Sequence, residues 1–280
     1  MPTIANMGGF GTGGSADMGG FGGGGVVVAP SSPVQVPMGV LQLPALPQGH
    51  FPLLAGTKFP RRAWDPNLYA QTVLAEFGAS GWMETITIDP PPSDIGAIGE
   101  DVAELLRKAE LRNARAPEIL AQANDASAYW ADMLMATSAS RPATWDLITA
   151  CATVGQLVAM HFKLMFSRPR PVQIYPALMP PILTPAHPSY PNAHALQSWI
   201  ITKALVTVVP ALTVQLELLA QRIAENREVA GLHYPSDTRA SFALAPQVVD
   251  LLAKGRLFSE IIRLAKAEWD GVSEVPFPTA

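Results

Sequence analysis

Apolar residues along most of this chain recur three and four positions apart, which predicts helices rather than strands. Asp101-Val-Ala-Glu-Leu-Leu shows the pattern in short form. Helices are expected over about 67–77, 99–113, 116–137, 142–166, 193–208, 211–230 and 236–268. Pro142 and Pro210 suit first helical positions, where a missing N–H costs nothing. Met83 to Asp89 alternates apolar and polar residues and reads as a brief extended stretch before Pro90-Pro91-Pro92. Ser167 to Pro191 is studded with proline and is expected to be a functional loop within the bundle. The expected fold is all-α: one helical-bundle domain over 63–280, preceded by an extended N-terminal arm.

Composition changes sharply at that arm. Residues 1–30 hold 11 of the 22 glycines, and Met7-Gly-Gly-Phe-Gly11 recurs as Met18-Gly-Gly-Phe-Gly22. Glycine at this density loses too much backbone entropy to fold alone, so 1–30 reads as a low-complexity arm. A homo-oligomer assembled through Phe10 and Phe21 is the alternative use of it. Residues 31–62 are Pro-rich and read as an extended segment lying over the domain.

Two apolar runs bear on location. Leu147 to Phe162 ends at Lys163, and Ala204 to Ala220 is interrupted by Pro210, Gln215 and Glu217. Neither reaches roughly eighteen clean apolar residues, so both are expected to be core helices. With no basic-then-apolar leader at the N-terminus, the expectation is a soluble, cytoplasmic protein with no membrane span. A net charge of −4 argues against a broad nucleic-acid-binding face. The single cysteine, Cys151, excludes an intramolecular disulfide and a Cys-based zinc site.

Chemistry concentrates in three short pieces: Lys163 with Arg170-Pro171, Tyr190-Pro191-Asn192-Ala193-His194, and Arg227 with His233 and Asp237. Together they supply guanidinium forks, an ammonium, two imidazoles and a carboxylate. Such a set can grip a tetrahedral oxyanion and do chemistry on it. Order and spacing resemble the superfamily of type 2 phosphatidic acid phosphatases, bacterial class A acid phosphatases and vanadium-dependent haloperoxidases. Its pattern is Lys-x6-Arg-Pro, then Pro-Ser-Gly-His, then Ser-Arg-x5-His-x3-Asp. This chain keeps Lys163, Arg170, Pro171, Pro191, His194, Arg227, His233 and Asp237, but has Asn192-Ala193 for Ser-Gly and Asn226 for the last Ser.

The resemblance implies a soluble enzyme of the bacterial type, with His233 as nucleophile, Asp237 orienting it and His194 as general acid or base. Lys163, Arg170, Arg227, Asn192 and Ala193 would bind the oxyanion. Arg168, also followed by proline, is the rival of Arg170, and His187 is a candidate for the pocket mouth. The first expectation is a hydrolase of small phosphoesters that needs no cofactor. The alternative is a haloperoxidase with vanadate on His233, acting on peroxide and halide. A third is a degenerate, non-catalytic member that serves in assembly.

Overall fold

A computed structural model describes residues 58–270, and among these the chain forms α-helices and short 3-10 turns without a strand. The N-terminal arm, the Pro-rich segment to residue 57 and the oligomer expectation tied to them lie outside the described residues. The bundle is built around α6 (Pro142–Phe166) and α8 (Ala193–Val208). α6 packs on α1 (Pro66–Gly78), α8 and α11 (Arg256–Trp269), while α8 also touches α9 (Thr213–Val229) and α10 (Pro235–Leu252).

The sequence explains why α8 is central. Leu196, Ile200, Ile201, Ala204 and Leu205 are all buried, and a helix apolar all round must be surrounded. Gly155 lets α6 approach it closely: a Cβ there would stand 2.8 Å from Gln197 Cγ. The Gln197 amide uses that proximity to donate to the Ala152 carbonyl at 2.9 Å. At the near end of α6, Glu268 of α11 accepts from the Ala143 and Thr144 N–H groups at 2.7 and 2.9 Å, capping a helix that begins with proline.

Several boundaries differ from expectation for local reasons. The helix expected over 116–137 is two, α4 (Arg112–Asn124) and α5 (Ala128–Leu134). Asp125 leaves the helical region at φ −153°, and its carboxylate accepts from the Ser127 N–H at 2.9 Å, a turn that competes with helix. The helix expected over 236–268 parts into α10 and α11 near Gly255. There Glu76 of α1 accepts from the Arg256 and Leu257 N–H groups at 3.1 and 2.9 Å. The stretch expected to be extended from Met83 begins instead as a short helix, α2 (Trp82–Thr85). α3 (Ile95–Lys108) starts earlier than expected, because Asp94 caps it by accepting from the Ala97 N–H at 2.8 Å. A four-residue α7 (Pro171–Ile174) follows Arg170 in the long loop.

The expectation of no membrane span requires correction. The helical stretch Pro142–Ile174 is long and apolar enough to cross a membrane, with 61% of its most apolar window buried inside the protein. Lys163 had seemed to end the apolar run. Its ammonium is instead buried and donates to the Pro188 and Ser189 carbonyls at 2.6 and 2.9 Å, so the charge is satisfied within the protein.

Candidate active site

The three sequence pieces converge on the turn between α9 and α10. Gly231 forms this turn at φ +75°, where a Cβ would meet Leu178 and Arg112 within 3 Å. His233 follows it, 1% exposed. Asp237, in the first turn of α10, accepts from His233 Nδ1–H at 3.2 Å and from the Tyr234 N–H at 3.0 Å through the same oxygen. Ser189 donates to that oxygen as well. Arg170 Nη1 reaches His233 Nε2 at 2.9 Å and the Leu232 carbonyl at 2.8 Å. A carboxylate on Nδ1 and a guanidinium on Nε2 define the tautomer: Nδ1 carries the proton, and Nε2 presents its lone pair.

Arg227, at the end of α9, is 2% exposed, and its Nε and Nη1 have no hydrogen-bond partner among the described residues. A buried guanidinium with two unpaired donors is costly unless an anion meets it. His187 feels the Arg227 charge; its Nδ1 accepts from Arg170 Nη2 at 2.9 Å, and its Nε2 is also without a partner among the described residues. Lys163, Arg168, Arg170 and Arg227 are four buried cations; the buried carboxylates that face them are Asp101 and Asp237, while Asp146 and Glu228 pair with Arg61 and Lys108. The formal surplus is two positive charges, which a phosphomonoester dianion would neutralise.

The rival arginines of the Arg-Pro-Arg-Pro stretch take different positions. Arg170 touches His233, whereas Arg168 donates to Asp237 Oδ1 at 2.6 Å and to Ser236 Oγ at 2.7 Å. Its other nitrogen lies 3.3 Å from Asp101 Oδ2, and its guanidinium stacks 3.8 Å over the Tyr234 ring. Asp101, Ser189 and Ser236 were not singled out from sequence. Asp101 left one trace there, an acid within an apolar helical stretch that turns out to be buried.

The second piece is used differently. Asn192 caps α8: its Oδ1 accepts from the Ala195 N–H at 3.3 Å, and its Nδ2 donates to Thr238 Oγ1 at 3.1 Å. Both ends of the amide expected at the oxyanion are therefore engaged inside the protein. Ala193 is buried as the first residue of α8, where a helix leaves N–H groups without intrahelical acceptors. His194 is fully buried, and its Nε2 pairs with the Gln122 carbonyl of α4 at 3.1 Å. Gln122, also unnoticed in the sequence, accepts from Asn226 at 2.9 Å through its side chain, so the residue in the place of Ser ties α9 to α4. A separate cleft of about 530 Å³ is lined by Lys108, Arg222, Glu228 and Phe242, and Lys108 is already paired there with Glu104 and Glu228.

Burial first, and charge crowding after it, sets the titration of His233 and His187. Burial, then Arg170, Lys163, Arg227 and His187, holds His233 well below the ordinary imidazole range. Burial, then Lys163, Arg170 and Arg227, pushes His187 down to about 3. Both stay neutral in the fold while unfolded imidazoles titrate near about 6.5. Below that pH the unfolded chain binds more protons, so stability is expected to fall as pH drops from about 6.5 toward 3. His233 can contribute up to about 1.4 kcal/mol per pH unit, and the more accessible His187 less. Urea unfolding at several pH values checks this, and His233→Gln is expected to flatten the slope.

No protein-family model matches the chain. A decaprenylphosphoryl-5-phosphoribose phosphatase of Mycolicibacterium smegmatis is 30% identical over 153 residues, covering 53% of this chain and 80% of that protein. The protein of the same name from Mycobacterium tuberculosis is 33% identical over 116 residues, 40% of this chain and 63% of the relative. Among solved structures, a transmembrane PAP2-type phosphatidylglycerolphosphate phosphatase of Bacillus subtilis aligns with 70% of this chain and 96% of its own. Its sequence identity is 17% and its TM-score 0.42. The mycobacterial relatives are named for a decaprenyl-linked substrate, and with the apolar Pro142–Ile174 stretch they overturn the expectation of a cytoplasmic enzyme for small soluble phosphoesters.

Proposed function

The chain belongs to the type 2 phosphatidic acid phosphatase superfamily and is a phosphoester hydrolase, and from this we propose that it acts at a membrane on lipid-linked phosphoesters through a phosphohistidine at His233. The observation that carries the reading is Arg227, a buried guanidinium with two donors unpartnered among the described residues, close enough to the Arg170–His233–Asp237 chain for its charge to act on Arg170 and His233. None of the relatives above is a haloperoxidase, and no observation favours vanadate chemistry over hydrolysis.

In the proposed reaction, phosphoryl oxygens draw the donors of Arg227, Arg170 and Lys163. Arg170 thereby gives up its bond to His233 Nε2, and the freed lone pair attacks phosphorus. An N–P bond forms as the P–O bond to the lipid alcohol breaks. Asp237 holds the Nδ1 proton and stabilises the positive charge that develops on the ring. His194 protonates the departing oxygen. It then takes a proton from the water that attacks phosphorus, the N–P bond breaks, and inorganic phosphate leaves. With the Gln122 carbonyl accepting from Nε2–H, Nδ1 is the His194 atom assigned to this proton transfer. All of these groups belong to the chain, so this route needs no cofactor.

Calorimetry with inorganic phosphate, paired with an assay on a water-soluble phosphomonoester and on a polyprenyl phosphate, tests the reading. Arg227→Ala is expected to weaken phosphate binding and lower turnover by about 10²-fold, the effect of removing one well-placed donor to developing charge. Unchanged phosphate binding in that variant would remove Arg227 from the pocket. No hydrolysis of either substrate by the unaltered protein would end the proposal.

A further inference from the structure

Between Lys163 and the second sequence piece the chain exposes a long stretch of surface without charge. Every exposed residue from Leu164 to Ala186 is uncharged, and no acidic residue occurs between Asp146 and Glu217. Leu164, Met165, Ile174, Tyr175, Met179 and Leu183 are large, apolar and exposed, Met179 and Leu183 by 74% and 72%. Large apolar side chains exposed within one short, uncharged stretch are the kind of surface that meets a partner.

Packing does not explain why they point outward. The underside of the loop is already anchored: Leu178 packs with Leu105 and Tyr234, and Ile182 against Val229, Ala230 and Leu232. Arg112 fixes it further, donating to the Leu178 and Met179 carbonyls at 2.8 and 3.1 Å and to the Val229 carbonyl at 2.9 Å. Met179 is held at φ +44°, a region that non-glycine residues avoid, with its side chain in solvent. The same loop supplies the His187, Pro188 and Ser189 carbonyls that bind Arg170 and Lys163. An uncharged apolar rim is thus built onto the buried cationic pocket.

We infer that the Leu164–Leu183 rim seats in the apolar face of a lipid leaflet and delivers the phosphate of a membrane lipid to the Arg227–His233 pocket. The polarity matches: hydrocarbon meets the rim, and the anionic head meets the buried cations. The last turn of α6, in a stretch long and apolar enough to cross a membrane, carries Leu164 and Met165. The inference rests on the lipid-phosphate reading above and adds the surface by which that substrate is reached.

The test uses the full chain in phosphatidylcholine vesicles with 20 mol% anionic lipid, about the charge of a natural leaflet surface. Cys151 is buried, so Leu183→Cys offers a single accessible thiol for an environment-sensitive fluorophore. The label is expected to be quenched by lipids brominated on their acyl chains and shielded from aqueous iodide. Met179→Asp/Leu183→Asp is expected to lower turnover of vesicle-borne lipid phosphate by at least about tenfold, since charges resist the apolar layer. Turnover of a water-soluble phosphomonoester should stay within about twofold, because neither residue touches the pocket groups. A label open to iodide in vesicles, or a double variant with its full rate on lipid phosphate, overturns the inference. If the unaltered protein hydrolyses neither substrate, the phosphatase reading falls, and the position of the label alone decides the docking surface.

Discussion

His233→Ala is expected to lower phosphoester turnover by about 10⁴-fold or more, in the range seen when a covalent nucleophile is deleted. The same variant should still bind inorganic phosphate, because Lys163, Arg170 and Arg227 remain in place. The two measurements separate because His233 Nε2 is assigned the bond to phosphorus, whereas the cations neutralise its oxygens. Rapid quenching with a radiolabelled phosphoester should trap an acid-labile phosphoenzyme in the unaltered protein and none in this variant. His194→Ala should still trap it, more slowly formed and more slowly hydrolysed, because the nucleophile remains while both proton transfers are lost. A phosphoenzyme that persists in His233→Ala would place the nucleophile elsewhere.

Arg168→Ala is expected to destabilise the fold by about 3–5 kcal/mol, the cost of removing one partner from a buried ion pair. Arg168 is 6% exposed and lies between Asp237 and Asp101, at 2.6 and 3.3 Å. Without it two buried carboxylates lose their main counter-charge; Arg239 is mostly exposed and 3.5 Å from Asp101. The Asp237 carboxylate would then lose the partner that fixes its Oδ1, and its other oxygen would hold His233 Nδ1–H less firmly. Urea denaturation gives the stability change, and kcat of the folded variant is expected to fall. Loss of less than about 1 kcal/mol would show that solvent reaches the carboxylates and that this pairing does not hold Asp237 in place.

Only part of this arrangement was visible beforehand. α6 and α8 matched their expected bounds of 142–166 and 193–208, because both are long apolar runs, one opened by proline and the other closed just before one. The breaks at Asp125 and Gly255 were not visible. In each case the helix yields to a partner that simple periodicity does not register: the Ser127 turn in one, Glu76 from α1 in the other. The location was misread because a lysine in sequence looks like the end of an apolar run. In the fold, Lys163 is hydrogen-bonded by carbonyls 25 and 26 residues away.

Residue order alone determined the helical class, the superfamily and the short list of chemically able side chains, since these depend on spacing within one segment. It could not say what each would touch. Arg168 and Arg170 are two positions apart, yet one meets Asp101 and Asp237 and the other His233. Asn192 looked able to donate to an oxyanion, and the fold turns it into the cap of α8 and a partner of Thr238. Tertiary structure decided these assignments because the partners lie some 45 to 70 residues apart in the chain. Buried donors and carboxylates must be satisfied by whatever the packing of α3, α8, α9 and α10 brings within 3 Å or so, and no local pattern encodes that packing.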